Sequence, residues 1–214
     1  NLVGDKRPEL ICTKRGQFGY VTVDWGNPLK EWTFHAVSGA VTSQKFGHGL
    51  GVGDVNGDGR LDIIHKEGWF AQPPSDKEAW KAHKFVFAPR GGAQMFAYDV
   101  DDDGDNDIIT SLAAHEFGLT WFEQMKAEGD AGGITFKKHL IMGSTRRENK
   151  YGVVFSELHA TGLHDMDGDG LKDIVTGKTY WSHHKQSPQW DAGAVVYWFK
   201  LVRGKDGVDF VPQR

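Results

Sequence analysis

Apolar residues in this chain come in short clusters separated by Gly- and Asp-rich turns, and the clusters recur in a fixed order. An apolar, mostly β-branched pair comes first: Ile63-Ile64, Ile108-Ile109 and Ile174-Val175. A Gly or Val and an aromatic-rich segment follow, seen in Gly19–Trp25, Gly68-Trp69-Phe70, Gly118–Glu123 and Val195–Phe199. A further segment then closes the unit, at Trp32–Val37, Trp80–Val86, Phe136–Ile141 and Asp209–Pro212. Short clusters of β-branched and aromatic residues between turn residues fit strands rather than helices. Units start near residues 1, 54, 99 and 165, so the repeat is a supersecondary motif of roughly 45 to 66 residues. The pattern predicts an all-β chain of four units with four short antiparallel strands each.

The polar stretch that opens each unit carries its own chemistry. Asp54-Val55-Asn56-Gly57-Asp58-Gly59-Arg60-Leu61-Asp62 has counterparts at Asp99–Asp107 and Asp165–Asp173. Oxygen side chains stand at positions 1, 3, 5 and 9 and Gly at position 6. This alternation lets a tight turn wrap hard oxygen ligands around one hard cation, which also relieves the repulsion among the clustered acids. An EF-hand opens in the same way but needs Glu at position 12 and flanking helices. Here position 12 is His65, Thr110 or Thr176, and strand-like residues follow the last acid. Each stretch therefore reads as a calcium loop joining two strands of a hairpin, giving about three calcium ions. A decayed copy, Asn1–Ile11, has Val3 and Lys6 where a ligand and Gly belong, so no calcium is expected there.

Four-stranded units of this length read as propeller blades. The run Phe46-Gly47-His48-Gly49-Leu50-Gly51-Val52-Gly53-Asp54-Val55-Asn56-Gly57-Asp58-Gly59 resembles an FG-GAP or VCBS-type repeat, and the resemblance covers nearly the whole chain. It implies a β-propeller, typically of seven blades, of the kind found in integrin α-subunit heads and secreted bacterial proteins. It further implies that the loops lie between the first two strands of a blade. By that resemblance the side-chain ligands are Asp54, Asn56, Asp58 and Asp62, then Asp99, Asp101, Asp103 and Asp107, then Asp165, Asp167, Asp169 and Asp173. The backbone carbonyls of Arg60, Asp105 and Leu171 complete the shells. Residues 1–214 read as one propeller domain or a fragment of one. The remaining blades are expected from the full-length chain or another chain, with a strained four-bladed ring or an open array as alternatives.

Composition narrows the class. With 39% hydrophobic and 25% charged residues the chain fits a globular protein, and its 28 glycines suit short strands and tight turns. A net charge of −4 with scattered Lys and Arg argues against nucleic acid, and no apolar run suggests membrane insertion. The basic run Arg146-Arg147-Glu148-Asn149-Lys150 reads as a solvated loop. Cys12 follows Leu10-Ile11 and reads as a buried packing thiol. Loops of modest affinity stay filled where calcium is plentiful, which favours a secreted, periplasmic or cell-surface location.

Hairpin phase selects the functional face. His48 and His159 lie six residues before their loops, with Gln94 near the same place in the middle unit. Downstream of the loop strands come His65, Lys66 and Glu67, then His115 and Glu116, then Lys178, Tyr180, Trp181, His183 and His184. All should lie at the channel mouth, away from the calcium ions. His48, His115, His159 and His183 are candidates for a shared site that could hold a transition metal or move protons. His35, His83 and His139 read as blade packing or outer-strand residues. Trp181 and Trp190 flank a polar loop that could form a carbohydrate platform. Two functions follow: a binding module for carbohydrate or a protein ligand, or a sugar-active lyase or dehydratase in which His, Lys or Tyr exchange protons. No Gly-x-Ser-x-Gly nucleophile signature is present.

Overall fold

The computed structural model describes residues 2–40, 48–127, 133–181 and 183–214. Asn1, the first position of the decayed loop, and Phe46-Gly47, the opening of the repeat motif, lie outside the described residues. The fold is all-β and built of blades. The first blade has β1 (Leu10–Lys14), β2 (Gln17–Thr22) and β3 (Thr33–Ala36). The second has β4 (Leu50–Gly53), β5 (Asp62–His65), β6 (Gly68–Ala71) and β7 (Lys81–Lys84). The third has β8 (Gln94–Tyr98), β9 (Asp107–Ser111), β10 (Leu119–Lys126) and β11 (Ile134–Met142). The fourth has β12 (Thr161–His164), β13 (Asp173–Lys178), β14 (Val195–Gly204) and β15 (Gly207–Gln213). Within each blade consecutive strands pair antiparallel.

The second and third blades are joined more closely than the repeat pattern suggests. Their inner strands β4 and β8 pair in parallel, Leu50 with Gln94, Gly51 with Met95 and Val52 with Phe96, making one eight-stranded sheet. The fourth blade approaches the same axis through Gln94. Its side-chain oxygen accepts a hydrogen bond from the Thr161 amide at 2.9 Å, and its carbonyl accepts one from the Thr161 hydroxyl at 3.1 Å.

Burial explains why the apolar pairs are doublets. Successive strand residues point to opposite faces, and both faces of an interior blade are covered. Ile63 joins the core between blades one and two, with Leu2, Phe18, Val37 and Phe70. Its neighbour Ile64 joins the core between blades two and three, with Val55, Trp69, Phe87, Met95 and Phe122. Ile108 lies in that second core, whereas Ile109 faces the third, with Leu119, Trp121, Leu158, Ile174 and Phe199. Val175 breaks the pattern, because it faces away from the third core on the outer side of blade four.

Three outer-strand histidines have a packing role. His35, His83 and His139 lie opposite Tyr20, Trp69 and Trp121 in the strand register. Their rings stack at 4.7, 4.6 and 4.3 Å with interplanar angles of 12°, 6° and 14°. The fourth blade puts Gln213 opposite Trp198. Cys12, expected to be buried, is only half-buried in β1. Its neighbour Ile11 packs against the core between blades one and two, so Cys12 points to the opposite face of β1, where partial burial still raises the thiol pKa.

His65 also departs from expectation, since it belongs to the packing between the first two blades and not to a channel-mouth cluster. Its ring contacts Phe18 at 4.8 Å and stacks on Phe70 at 4.9 Å. Burial lowers its pKa to about 4. The fold holds the neutral form, whereas the unfolded chain takes up a proton below the ordinary value of about 6.5. Stability is thus fully present above pH 6.5 and lost as pH falls toward 4, by at most about 3 kcal/mol. In denaturant titrations at saturating calcium, His65→Phe should remove most of this acid sensitivity. Parallel losses in both proteins between pH 7 and pH 4.5 would show that His65 is not the group responsible.

Candidate functional site

The acidic loops connect β4 to β5, β8 to β9 and β12 to β13, the first two strands of three blades. Their backbone is nearly superposable in its key dihedrals. Positions 4 and 6 take positive φ at Gly57 and Gly59 (72° and 83°), Asp102 and Gly104 (71° and 94°), and Gly168 and Gly170 (79° and 90°). The decayed copy keeps the same shape, with Gly4 at 79° and Lys6 at 65°. The turn therefore forms without its full ligand set.

The position-1 carboxylates gather loop amides. Asp54 accepts from Asp58 and Gly59, Asp99 from Asp102 and Gly104, and Asp165 from Gly168, Asp169 and Gly170. In all three loops the position-7 amide donates 2.9 Å to the position-5 carboxylate, Arg60 to Asp58, Asp105 to Asp103 and Leu171 to Asp169. Oxygens of Asp99, Asp101 and Asp103 lie within 4.8 Å of one another, as do those of Asp165, Asp167 and Asp173. The bowls already attract cations. Lys200 pairs with Asp167 and with Asp169 at 3.0 Å, Arg60 pairs with Asp58, and Arg203 reaches Asp102 at 2.8 Å. A donor set of oxygens alone, converging where an ammonium ion sits, fits a hard divalent ion.

The final acid of each loop has a second task that the repeat pattern did not reveal. Asp62, Asp107 and Asp173 are fully buried, and each carboxylate staples two backbone amides. Asp62 accepts from Val55 and Gln72, Asp107 from Val100 and Gln124, and Asp173 from Met166 and Leu201, at 2.7 to 3.0 Å. The loop is thereby tied to the third strand of its blade in blades three and four, and in blade two to Gln72, the residue that follows that strand. Burial pushes Asp62 up to about 6 and Asp107 up to about 7 against these hydrogen bonds. Such carboxylates ionise at a cost unless a cation shares the charge.

At the opposite ends of the hairpins the structure gathers the four histidines singled out above. His48 precedes β4, His115 lies between β9 and β10, His159 precedes β12 and His183 follows β13. Ring centroids are 4.9 Å apart for His48 and His115, 5.3 Å for His48 and His159, 4.5 Å for His115 and His159, and 4.0 Å for His115 and His183. The Nε2 atoms of His159 and His183 are 2.9 Å apart. Burial lowers the pKa of His48 and of His159, and the neighbouring imidazoles lower both further. In both, the shift favours the neutral imidazole.

Two supporting residues have no sequence signature. Glu157, buried in the left-handed region at φ 66°, brings its carboxylate to 3.9 Å from His159 Nε2. Only its place two residues before His159 could have pointed to it. Gly91 makes room for His48: a Cβ there would lie 2.7 Å from the His48 Cβ, on a backbone with φ 77°. A cleft of about 750 Å³ opens beside the cluster, lined by Glu157, His159, Thr161, Lys178 and His183 among others. Lys178 is buried there, and its ammonium donates to the Gln189 carbonyl at 2.7 Å. Tyr180 and Trp181 do not line this cleft. They are 64% and 52% exposed on the following loop, where Trp181 meets Trp190 edge to face at 5.1 Å.

Comparison with known proteins agrees with this architecture. Residues 1–65 match the family model of the FG-GAP-like repeat. Integrin alpha-5 of Xenopus laevis is 23% identical over 189 residues, covering 75% of this chain. The chain spans 17% of the length of that relative. No helix among the described residues is long and apolar enough to cross a membrane.

Proposed function

We propose that this chain, whose sequence and sheets are those of an FG-GAP repeat β-propeller, is a calcium-stabilised extracytoplasmic interaction module. The observation that carries the reading is the threefold loop geometry: the same turn and the same buried final acid in three blades, with carboxylate oxygens converging in the loops that start at Asp99 and Asp165. Asp54, Asn56, Asp58 and Asp62 hold one ion, and the equivalent residues from Asp99 and from Asp165 hold two more. The carbonyls of Arg60, Asp105 and Leu171 complete the shells. Calcium here is structural, because each loop joins adjacent strands and has no helix pair to open. An ion in each loop offsets the charge on Asp62, Asp107 and Asp173 and so secures the staple to the third strand. Three such loops stay filled where calcium is plentiful, which supports a secreted, periplasmic or cell-surface setting.

The ligand, a carbohydrate or a protein surface, binds on the face opposite the loops. Exposed Tyr180 and Trp181 offer aromatic area there, next to the cleft at Lys178. The outer face of blade four supports packing by further blades from the full-length chain or from another chain. Val196 is 69% and Val202 37% exposed on it, beside Val175 and Trp198, an apolar surface where interior blades bury theirs.

Calcium stoichiometry tests the loop assignment. Asp58→Ala, Asp103→Ala and Asp169→Ala should each lower bound calcium by one ion and lower the melting temperature by roughly 4–10 °C, the equivalent of about 2–3 kcal/mol. Asp5→Ala, in the decayed copy, should change neither. Unaltered calcium content in the three loop variants would refute the assignment.

A further inference from the structure

We propose that His48, His115 and His159, with His183 and Glu157 beside them, form a site for one divalent transition-metal cation of the zinc type. It would be separate from the oxygen-only loops at the other end of the hairpins. One ligand nitrogen from each of His48, His115 and His159 lies within 4.8 Å of the other two, and an atom from each of Glu157, His159 and His183 does the same. Zinc bound at about 2.0–2.1 Å would set tetrahedral nitrogens roughly 3.4 Å apart. Small rotations about the imidazole χ angles close that gap.

Packing does not account for the cluster. The structural histidines of this fold, His35, His83 and His139, each stack on one aromatic ring of the neighbouring strand. The other four, from three blades, meet one another instead: His183 stacks on His115 and on His159, and His48 meets both His115 and His159 edge-on. His115 Nε2 is buried with no hydrogen-bond partner among the described residues. An orphaned buried nitrogen costs about 1–3 kcal/mol, which a metal bond removes. Glu157 and His183 both sit in the left-handed region, at φ 66° and 46°. Non-glycine residues held there cost on the order of 1–3 kcal/mol each, and such strain concentrates at functional sites.

Donor chemistry selects the ion. Imidazole suits zinc, copper, iron and nickel, whereas calcium takes oxygen ligands. The Glu157 carboxylate adds one negative charge, which reduces the net charge of the bound site. His159 and His183 also line the cleft that holds Lys178, so a coordination position facing that cleft stays open to an oxygen ligand from solvent.

The test loads chelator-stripped protein with Zn²⁺ alone, adds excess calcium, separates unbound metal and counts both metals per chain. Retention of one zinc is expected, and the double variant His48→Ala/His159→Ala should bind it more than about 100-fold more weakly. Asp58→Ala, Asp103→Ala and Asp169→Ala should keep the zinc while losing calcium. Zinc displaced by calcium, or retained equally by the histidine variant, would overturn the proposal. Co²⁺ in the wild-type protein gives a reading that does not depend on the variant folding: visible absorption of a nitrogen-rich, low-coordinate site is expected, and a spectrum of oxygen ligands alone would refute it. The calcium count in the same samples keeps failure of this site distinct from failure of the loop assignment.

Discussion

Gly51→Ala is expected to destabilise the protein by about 3 kcal/mol or more, a fall in melting temperature of roughly 6–12 °C for a chain of this size. Gly51 lies in β4 where that strand pairs in parallel with β8, opposite Met95. A Cβ at this position would stand 1.9 Å from the Met95 carbonyl oxygen, 2.6 Å from its carbon and 2.8 Å from the Met95 Cβ. Most of the obstruction is backbone, so no side-chain rotation relieves it. The inner strands of two blades must separate, which weakens the parallel hydrogen bonds and disturbs Met95, itself almost fully buried in the core between blades two and three. Thermal and denaturant unfolding measure the effect. A variant melting within about 2 °C of wild type would mean that β4 and β8 do not meet in this way.

What could be read from the chain follows from what is local. The acidic loops, their place between two strands and the order of the strand segments all follow from residue types at fixed offsets, and the all-β blade architecture rests on them. The mutual approach of His48, His115, His159 and His183 was legible for a related reason. Strand length and hairpin phase carry a residue six positions before one loop to the same end as residues that follow the next strand. Contacts set by the packing of one blade on another were not legible. Nothing near Gly51 announces that Met95 will be its partner, because parallel pairing joins segments more than forty residues apart. His65 shares the phase of the channel-mouth residues but is taken up by Phe18 and Phe70 between the first two blades. Glu157 has no repeat counterpart, and the double use of Asp62, Asp107 and Asp173 as amide staples requires a third strand whose distance in sequence differs in each blade.

Removal of calcium bears most directly on the central claim, that three ions hold the blades in shape. An ion bound at a hundredfold excess over its dissociation constant contributes about 2.7 kcal/mol to the folded state. Three independent loops would together contribute about 8 kcal/mol and shift the melting temperature by roughly 16–32 °C for a domain of this size. Without the ions, Asp62 and Asp107 must bury charge against their raised pKa values, with Arg60, Lys200 and Arg203 as cations at the acidic bowls. The deciding measurement is the melting temperature at pH 7 in millimolar calcium and in excess chelator, followed by re-addition of calcium. The account predicts a fall of roughly 16–32 °C on chelation that calcium alone reverses. Equal melting temperatures in the two buffers would contradict it.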